Sequence, residues 1–152
     1  MYKLIVVLLL LSGCAATGTK FSKPETPTDK EALVYVYRPA SSLPRQPIVS
    51  VNGKRLASLK NKSYITLHLP AGKYQFAANW AWNALSRIPK TKTSFDAGGR
   101  YFVRVTPPGV LAIGQPTYDT GLDIVDEADA LPELSECTAL ENFEQPDIPP
   151  LK

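Results

Sequence analysis

Through the body of this chain, apolar and polar residues alternate in short runs with a period of two, the spacing of strands rather than helices. Ala32 to Arg38 (Ala-Leu-Val-Tyr-Val-Tyr-Arg) is β-branched and aromatic almost throughout, which suits a central strand covered on both faces. Ile48 to Val51 runs into Asn52-Gly53, the dipeptide best fitted to a two-residue type I′ turn because both positions need positive φ. Lys54 to Leu59 is then the predicted return strand, with Val49 opposite Leu56. From Ser63 to Leu69, Ile65, Leu67 and Leu69 fall on one face and Tyr64, Thr66 and His68 on the other. Pro70-Ala71-Gly72-Lys73 is turn chemistry, after which Tyr74, Phe76 and Ala78 resume the alternation. Thr91 to Asp96 and Tyr101 to Thr106 suggest a hairpin through Ala97-Gly98-Gly99, and Val110 to Ile113 a short last strand. Seven or eight such strands with closely spaced turns predict a mainly β fold, an antiparallel β-sandwich.

Both ends depart from this pattern. Pro132 to Glu141 is the one segment with helical signals: Pro132 suits a first helical position, Glu133 and Glu136 lie near the positive end of the dipole, and Asn142 suits the exit. Leu134 and Cys137 share a face that would pack on the sandwich. Residues 146–152 form a Pro-rich tail expected to fray.

At the front, Met1-Tyr2-Lys3 supplies a positive charge, and Leu4 to Leu11 is an unbroken apolar run, too short for the roughly 20 residues of a membrane span. A charged start, a short apolar core and small residues before a cut site give the layout of a secretory signal. Leu11-Ser12-Gly13-Cys14 resembles the lipobox of bacterial lipoproteins. That resemblance implies removal of 1–13, lipidation of Cys14 and attachment to a membrane, since two acyl chains anchor stably where one does not. Ala15 follows the cysteine where an aspartate retains enterobacterial lipoproteins in the inner membrane, so the expected location is the outer membrane, facing the periplasm. The division is therefore a signal over 1–13, a lipidated cysteine and flexible tether over 14–30, a sandwich with its helix over 31–145, and the tail. Thr, Lys, Ser, Pro and Gly dominate the tether, and Phe21 is its only large apolar residue.

The small positive net charge hides a lopsided distribution. Residues 15–118 hold 15 Lys and Arg against 4 Asp and Glu, whereas residues 119–152 hold 10 acids and Lys152 alone. Either the acidic tail lies across the basic body, or a basic face is left for anionic lipid, lipopolysaccharide or the acidic groups of the cell wall. Nucleic acid is not a partner expected of an exported protein. With Cys14 lipidated, Cys137 has no intrachain partner and is expected to be a buried free thiol.

Candidate chemistry is sparse. His68 is the only histidine, placed mid-strand, and the three or four ligands of a zinc site are not supplied, so no metal and no cofactor are expected. A triad would have to use this same His68, and the body has too few acids for a paired-carboxylate site. The expectation is not an enzyme. Asp119, Asp123, Asp126, Glu127 and Asp129 crowd one segment without the calcium-loop spacing, which points to a solvated acidic stretch. Trp80 and Trp82 extend the alternation of Tyr74, Phe76 and Ala78, which would cap the core. The segment Asn79 to Pro89 is nevertheless long for a hairpin loop. Exposed, Trp80, Trp82 and Arg87 would suit a sugar face, a lipid interface or a protein hot spot.

Taken in order, Leu33-Val34-Tyr35-Val36-Tyr37-Arg38-Pro39, Val51-Asn52-Gly53-Lys54, Leu59 to Tyr64, Leu69-Pro70-Ala71-Gly72-Lys73-Tyr74 and Gly98-Gly99-Arg100-Tyr101-Phe102-Val103 resemble the bacterial envelope family called domain of unknown function 2846, over about Ala32 to Leu140. The resemblance implies a prealbumin-like β-sandwich on a lipoprotein or exported protein; it implies no activity and has no functional residues to carry over. The expectation is a lipid-anchored, non-enzymatic binding or accessory module for another envelope protein, or alternatively a binder of a small ligand or cell-wall glycan.

Overall fold

The computed structural model describes residues 18–80, 88–107 and 121–152. Its elements in chain order are β1 (Glu31–Arg38), β2 (Ile48–Val51), β3 (Lys54–Ser58), β4 (Ser63–Pro70), β5 (Gly72–Asn79), β6 (Lys90–Phe95), β7 (Arg100–Val105), β8 (Leu122–Val125), α1 (Glu127–Leu134) and β9 (Thr138–Ala139). They form two sheets, a five-stranded one in the order β8-β7-β1-β4-β9 and a four-stranded one in the order β3-β2-β5-β6. The protein is a mainly β sandwich with one short helix.

Strand alternation builds the core between the sheets. Ala32, Val34 and Val36 of β1, Ile65, Leu67 and Leu69 of β4, Tyr74, Phe76 and Ala78 of β5, and Val103 and Val105 of β7 all turn inward and are buried together. At its centre Phe95 stacks against Tyr74 at 5.7 Å and meets Tyr101 at 4.5 Å.

As its composition predicts, β1 is the central strand of its sheet and is covered twice. Its other face sends Leu33, Tyr35 and Tyr37 into a second cluster with Phe21, Phe102, Ala130, Leu134 and Cys137. A third layer, made of α1 and the segment around Phe21, thus lies over the five-stranded sheet.

Several expectations are corrected. β6 and β7 are not a hairpin: β6 pairs with β5, while β7 crosses to the other sheet and runs parallel to β1. Backbone bonds from Gly98 N–H to the Glu31 carbonyl and from Leu33 N–H to the Gly99 carbonyl hold this crossing. A second parallel pair joins β4 to β9, so the antiparallel pattern is not complete. Asn52 (φ 50) and Gly53 (φ 80) make the predicted turn between β2 and β3, but a bulge after Val49 places that residue opposite Ala57 instead of Leu56. The expected strand Val110 to Ile113 lies outside the described residues.

The helix begins five residues earlier than predicted. Asp126 opens it, Glu127 and Asp129 occupy the first turn where the dipole favours acids, and Pro132 sits inside, near the end. What sets this frame is packing: Ala130 and Leu134, one turn apart, both face the sheet. Cys137 follows the helix but joins the same apolar cluster.

Neither terminal segment hangs free. The stretch taken as a tether is docked from Gly18 onward: Phe21 is 7% exposed, its N–H bonds the Cys137 carbonyl at 2.9 Å, and Lys20 bridges Thr138. The Pro-rich tail is docked as well, because Ile148 fills the end of the main core and the Leu151 N–H donates to the Lys73 carbonyl at 2.8 Å. Pro150 lies where a Cβ on Gly72 would stand, 2.5 Å away, so glycine in the Pro-Ala-Gly-Lys turn makes room for the tail. Prolines lower the entropic cost of ordering such a segment. Among the described residues no helix is long and apolar enough to cross a membrane.

Candidate binding surface

Arg38, in the Tyr-Arg-Pro segment, was not singled out by the sequence, yet it is fully buried. Its guanidinium faces no carboxylate. Nη1 donates to the carbonyls of Arg45 (2.7 Å) and Leu59 (3.1 Å), and Nη2 to Ser41 Oγ (2.8 Å) and the Leu43 carbonyl (2.5 Å). Its Cζ lies over the Trp80 ring, 5.0 Å from the centroid. Burial pulls its pKa below the ordinary arginine value. Arg38 therefore gathers the 39–47 loop around one charge: carbonyl dipoles and an aromatic face replace water.

This arrangement decides the place of Trp80. It is 5% exposed and belongs to the main core, as the strand alternation predicts, so it does not offer an open binding face. Trp82 and Arg87 lie outside the described residues, as do Cys14 and Asp119.

The single histidine is taken up in sheet edges rather than in a site. His68 Nδ1 stands 3.9 Å from a Glu31 carboxylate oxygen, and Gln145 clamps the His68 backbone, accepting from its N–H at 2.8 Å and donating to its carbonyl at 2.7 Å. Cys137 is fully buried, and its Sγ points at the carbonyls of Arg38 and Glu133. Desolvation pushes the thiol up to about 12, with the Glu133 charge adding to the effect. The neutral thiol is thus the form the fold favours. Its contribution to stability is complete below the ordinary thiol pKa and is lost as pH rises toward 12. Native protein at pH 8 should accordingly resist a maleimide at position 137 and react at once in urea; equal labelling in both would contradict the burial. Among the described residues no three His, Cys, Asp or Glu side chains are grouped to hold a metal.

In the acidic stretch Asp126, Glu127 and Asp129 are exposed, as expected, and some acids here and further on also form ion pairs. Asp123 lies on β8 and pairs with Arg104 at 3.8 Å, Glu127 pairs with Arg100 at 3.6 Å, and Glu136 pairs with Lys62 at 3.4 Å. Glu133 reaches Arg104 at 3.4 Å and accepts from the Tyr37 hydroxyl at 2.5 Å. Burial, and then this bond to the carboxylate, raise the Tyr37 pKa. Asp123, Glu127 and Glu133 therefore pair with the β7 cations Arg100 and Arg104 and fasten α1 to the five-stranded sheet, while Glu141 and Glu144 lie beside the β3 edge.

Among the described residues, no ion pair of this kind lies on the outer face of the four-stranded sheet. The four strands β2, β3, β5 and β6 contain no Asp or Glu. Alternation puts Arg55, Lys73, Lys90 and Lys92 on their outward face, all exposed, and none forms an ion pair among the described residues. The register Arg55, Ser50, Ala77, Lys90 runs straight across the sheet, with Gln75 beside Lys92 and Lys73 beside Ser94. Beyond the β3 edge, Leu56, Ala57, Ser58 and Lys60 face Leu140 and Phe143 across a cleft of about 500 Å³.

Fold and surface together define a three-layer β-sandwich domain whose charges are sorted by face. The chain belongs to the family described as protein of unknown function (DUF2846), which matches residues 28–110, more than half of its length. The match ends at 110, short of the Leu140 expected from sequence, and leaves out β8, α1, β9 and the tail. No curated protein matches the chain.

Proposed function

We propose that this protein is a lipid-anchored, non-enzymatic binding module of the bacterial envelope that engages an anionic envelope component through the outer face of its four-stranded sheet. The observation that carries the reading is the set of four exposed cations on the outward face of strands that contain no acid. Unneutralised charge of one sign on a flat surface raises the local concentration of an oppositely charged partner and speeds its capture. The buried, neutral Cys137 is not disposed as a nucleophile, which favours binding over catalysis.

Anchorage rests on Leu11-Ser12-Gly13-Cys14 after its apolar run. Outer-membrane placement follows from Ala15 in a host with two membranes. Feeding cells an alkyne fatty acid should label the wild-type protein and leave Cys14→Ala unlabelled and uncleaved, with the wild type recovered in the outer-membrane fraction. Label on Cys14→Ala, or an unlabelled wild type in the soluble fraction, would remove the anchor from the proposal.

The cleft between Leu56 and Phe143 favours a second reading, a binder of a small ligand. Saturable protection of the domain against heat by a small cell-wall fragment, abolished by Leu56→Trp, is its expected signature.

A further inference from the structure

We infer that the basic face is turned away from the membrane that holds the anchor and binds the carboxylate groups of the cell-wall glycan. The inference rests on the proposed lipidation of Cys14 for its orientation. Its charge argument stands without that premise.

Orientation follows from where the chain enters the fold. Gly18 abuts Ala139, the Ala139 N–H donates to the Thr19 carbonyl, and Phe21 rises onto the outer side of the five-stranded sheet. Cys14 precedes Gly18 by four residues, which span at most ~14 Å when fully extended. Packed sheets are ~10 Å apart, and the stems of Arg55, Lys73, Lys90 and Lys92 project beyond the second sheet. The connection would be drawn taut before those cations met the headgroups around the anchor. With any slack, the face looks sideways or outward.

Chemistry then selects the occupant. Protein hot spots need aromatic or large apolar anchors in pockets, and this face offers only Ile48 and Ala77 among its apolar residues. Its remaining positions, Ser50, Ser58, Gln75, Asn79 and Ser94, interleave uncharged donors and acceptors with the four cations. That mixture fits a polymer with spaced carboxylates, hydroxyls and amides, and gives the loose, salt-sensitive attachment of a polyanion.

The test uses the full-length lipidated protein in a non-ionic detergent, co-sedimented with purified peptidoglycan sacculi. Wild type should sediment, less so as salt rises, and amidating the sacculus carboxyl groups should abolish binding. Arg55→Gln with Lys73→Gln, Lys90→Gln and Lys92→Gln should weaken it by roughly tenfold or more, while Lys20→Gln with Lys23→Gln, exposed cations of the segment docked on the five-stranded sheet, should not. The inference is overturned by a wild type that stays in solution, by undiminished binding to amidated sacculi, or by equal loss in the two variants. Binding to phosphatidylglycerol vesicles in place of sacculi overturns it too. So does self-association of the fourfold variant with unchanged sacculus binding, which would make the cations guards of the β3 and β6 edges. Cys14→Ala in the same assay separates the premises: sedimentation without lipid retains the carboxylate site and discards the anchor.

Discussion

Replacing Arg38 with leucine should cost about 3 kcal/mol of stability, a fall of roughly 10 °C in the melting temperature. The side chain makes four hydrogen bonds to the 41–45 loop and Leu59, from a position with no exposure to solvent. A leucine keeps the apolar volume but removes the donors to Leu43, Arg45 and Leu59, and the buried Leu59 carbonyl, left without this partner, is the expensive one. Lysine should not restore the loss. Its ammonium is a compact point charge that cannot spread donors over four acceptors in a plane, nor lie flat on the Trp80 ring. The distinguishing readout is tryptophan emission, which should shift to longer wavelength in the native state of Arg38→Leu as the Trp80 cover loosens. Unchanged emission with an unchanged melting temperature would mean that the loop holds itself.

Phe21→Ala should be comparably severe, about 3 kcal/mol, in the range measured for buried phenylalanines. Phe21 sits edge-on to Tyr35 at 5.7 Å and to Tyr64 at 5.5 Å, and it draws the entering chain onto the third layer. Truncation removes these contacts and frees the segment from Gly18, so trypsin should cut after Lys20 in the variant and spare the wild type. Ser22→Ala, exposed and adjacent, should leave both properties as they were. On the proposed anchorage at Cys14, the functional consequence is reach: a released segment lengthens the connection and lets the domain turn its basic face in any direction. A variant that stays protected at Lys20 would place the anchoring of this segment in the Lys20 and Thr19 backbone bonds rather than in the phenyl ring.

Strand existence was legible where one face is buried and the other wet. β4 and β5 follow their alternation residue by residue, because a shift by one would expose Ile65, Leu67, Tyr74 and Phe76 together. The turn at Asn52-Gly53 was legible for a local reason, since few other residues accept its φ values. The bulge after Val49 was not, because it answers to the neighbouring strand and not to the residues that form it. Pro132 points to a helix start that α1 does not use, because the sheet beneath selects Ala130 and Leu134 as the buried pair.

The sequence by itself determined the class of fold, the family segments, the apolar faces of the strands and the imbalance between a basic body and an acidic end, all of which depend on local composition and period. Tertiary structure alone decided the rest. It sent β6 and β7 into different sheets, docked Phe21 and Ile148 from segments with no periodicity of their own, and made Arg38 a buried hub. It also sorted the charges: Asp123, Glu127, Glu133 and Glu136 meet Arg100, Arg104 and Lys62 on one side, while Arg55, Lys73, Lys90 and Lys92 on the other form no ion pair among the described residues. The physical reason is common to all of these. Period along the chain says which way a side chain points, but which partner it meets depends on strand order and layer, and those are fixed only when distant segments close on one another.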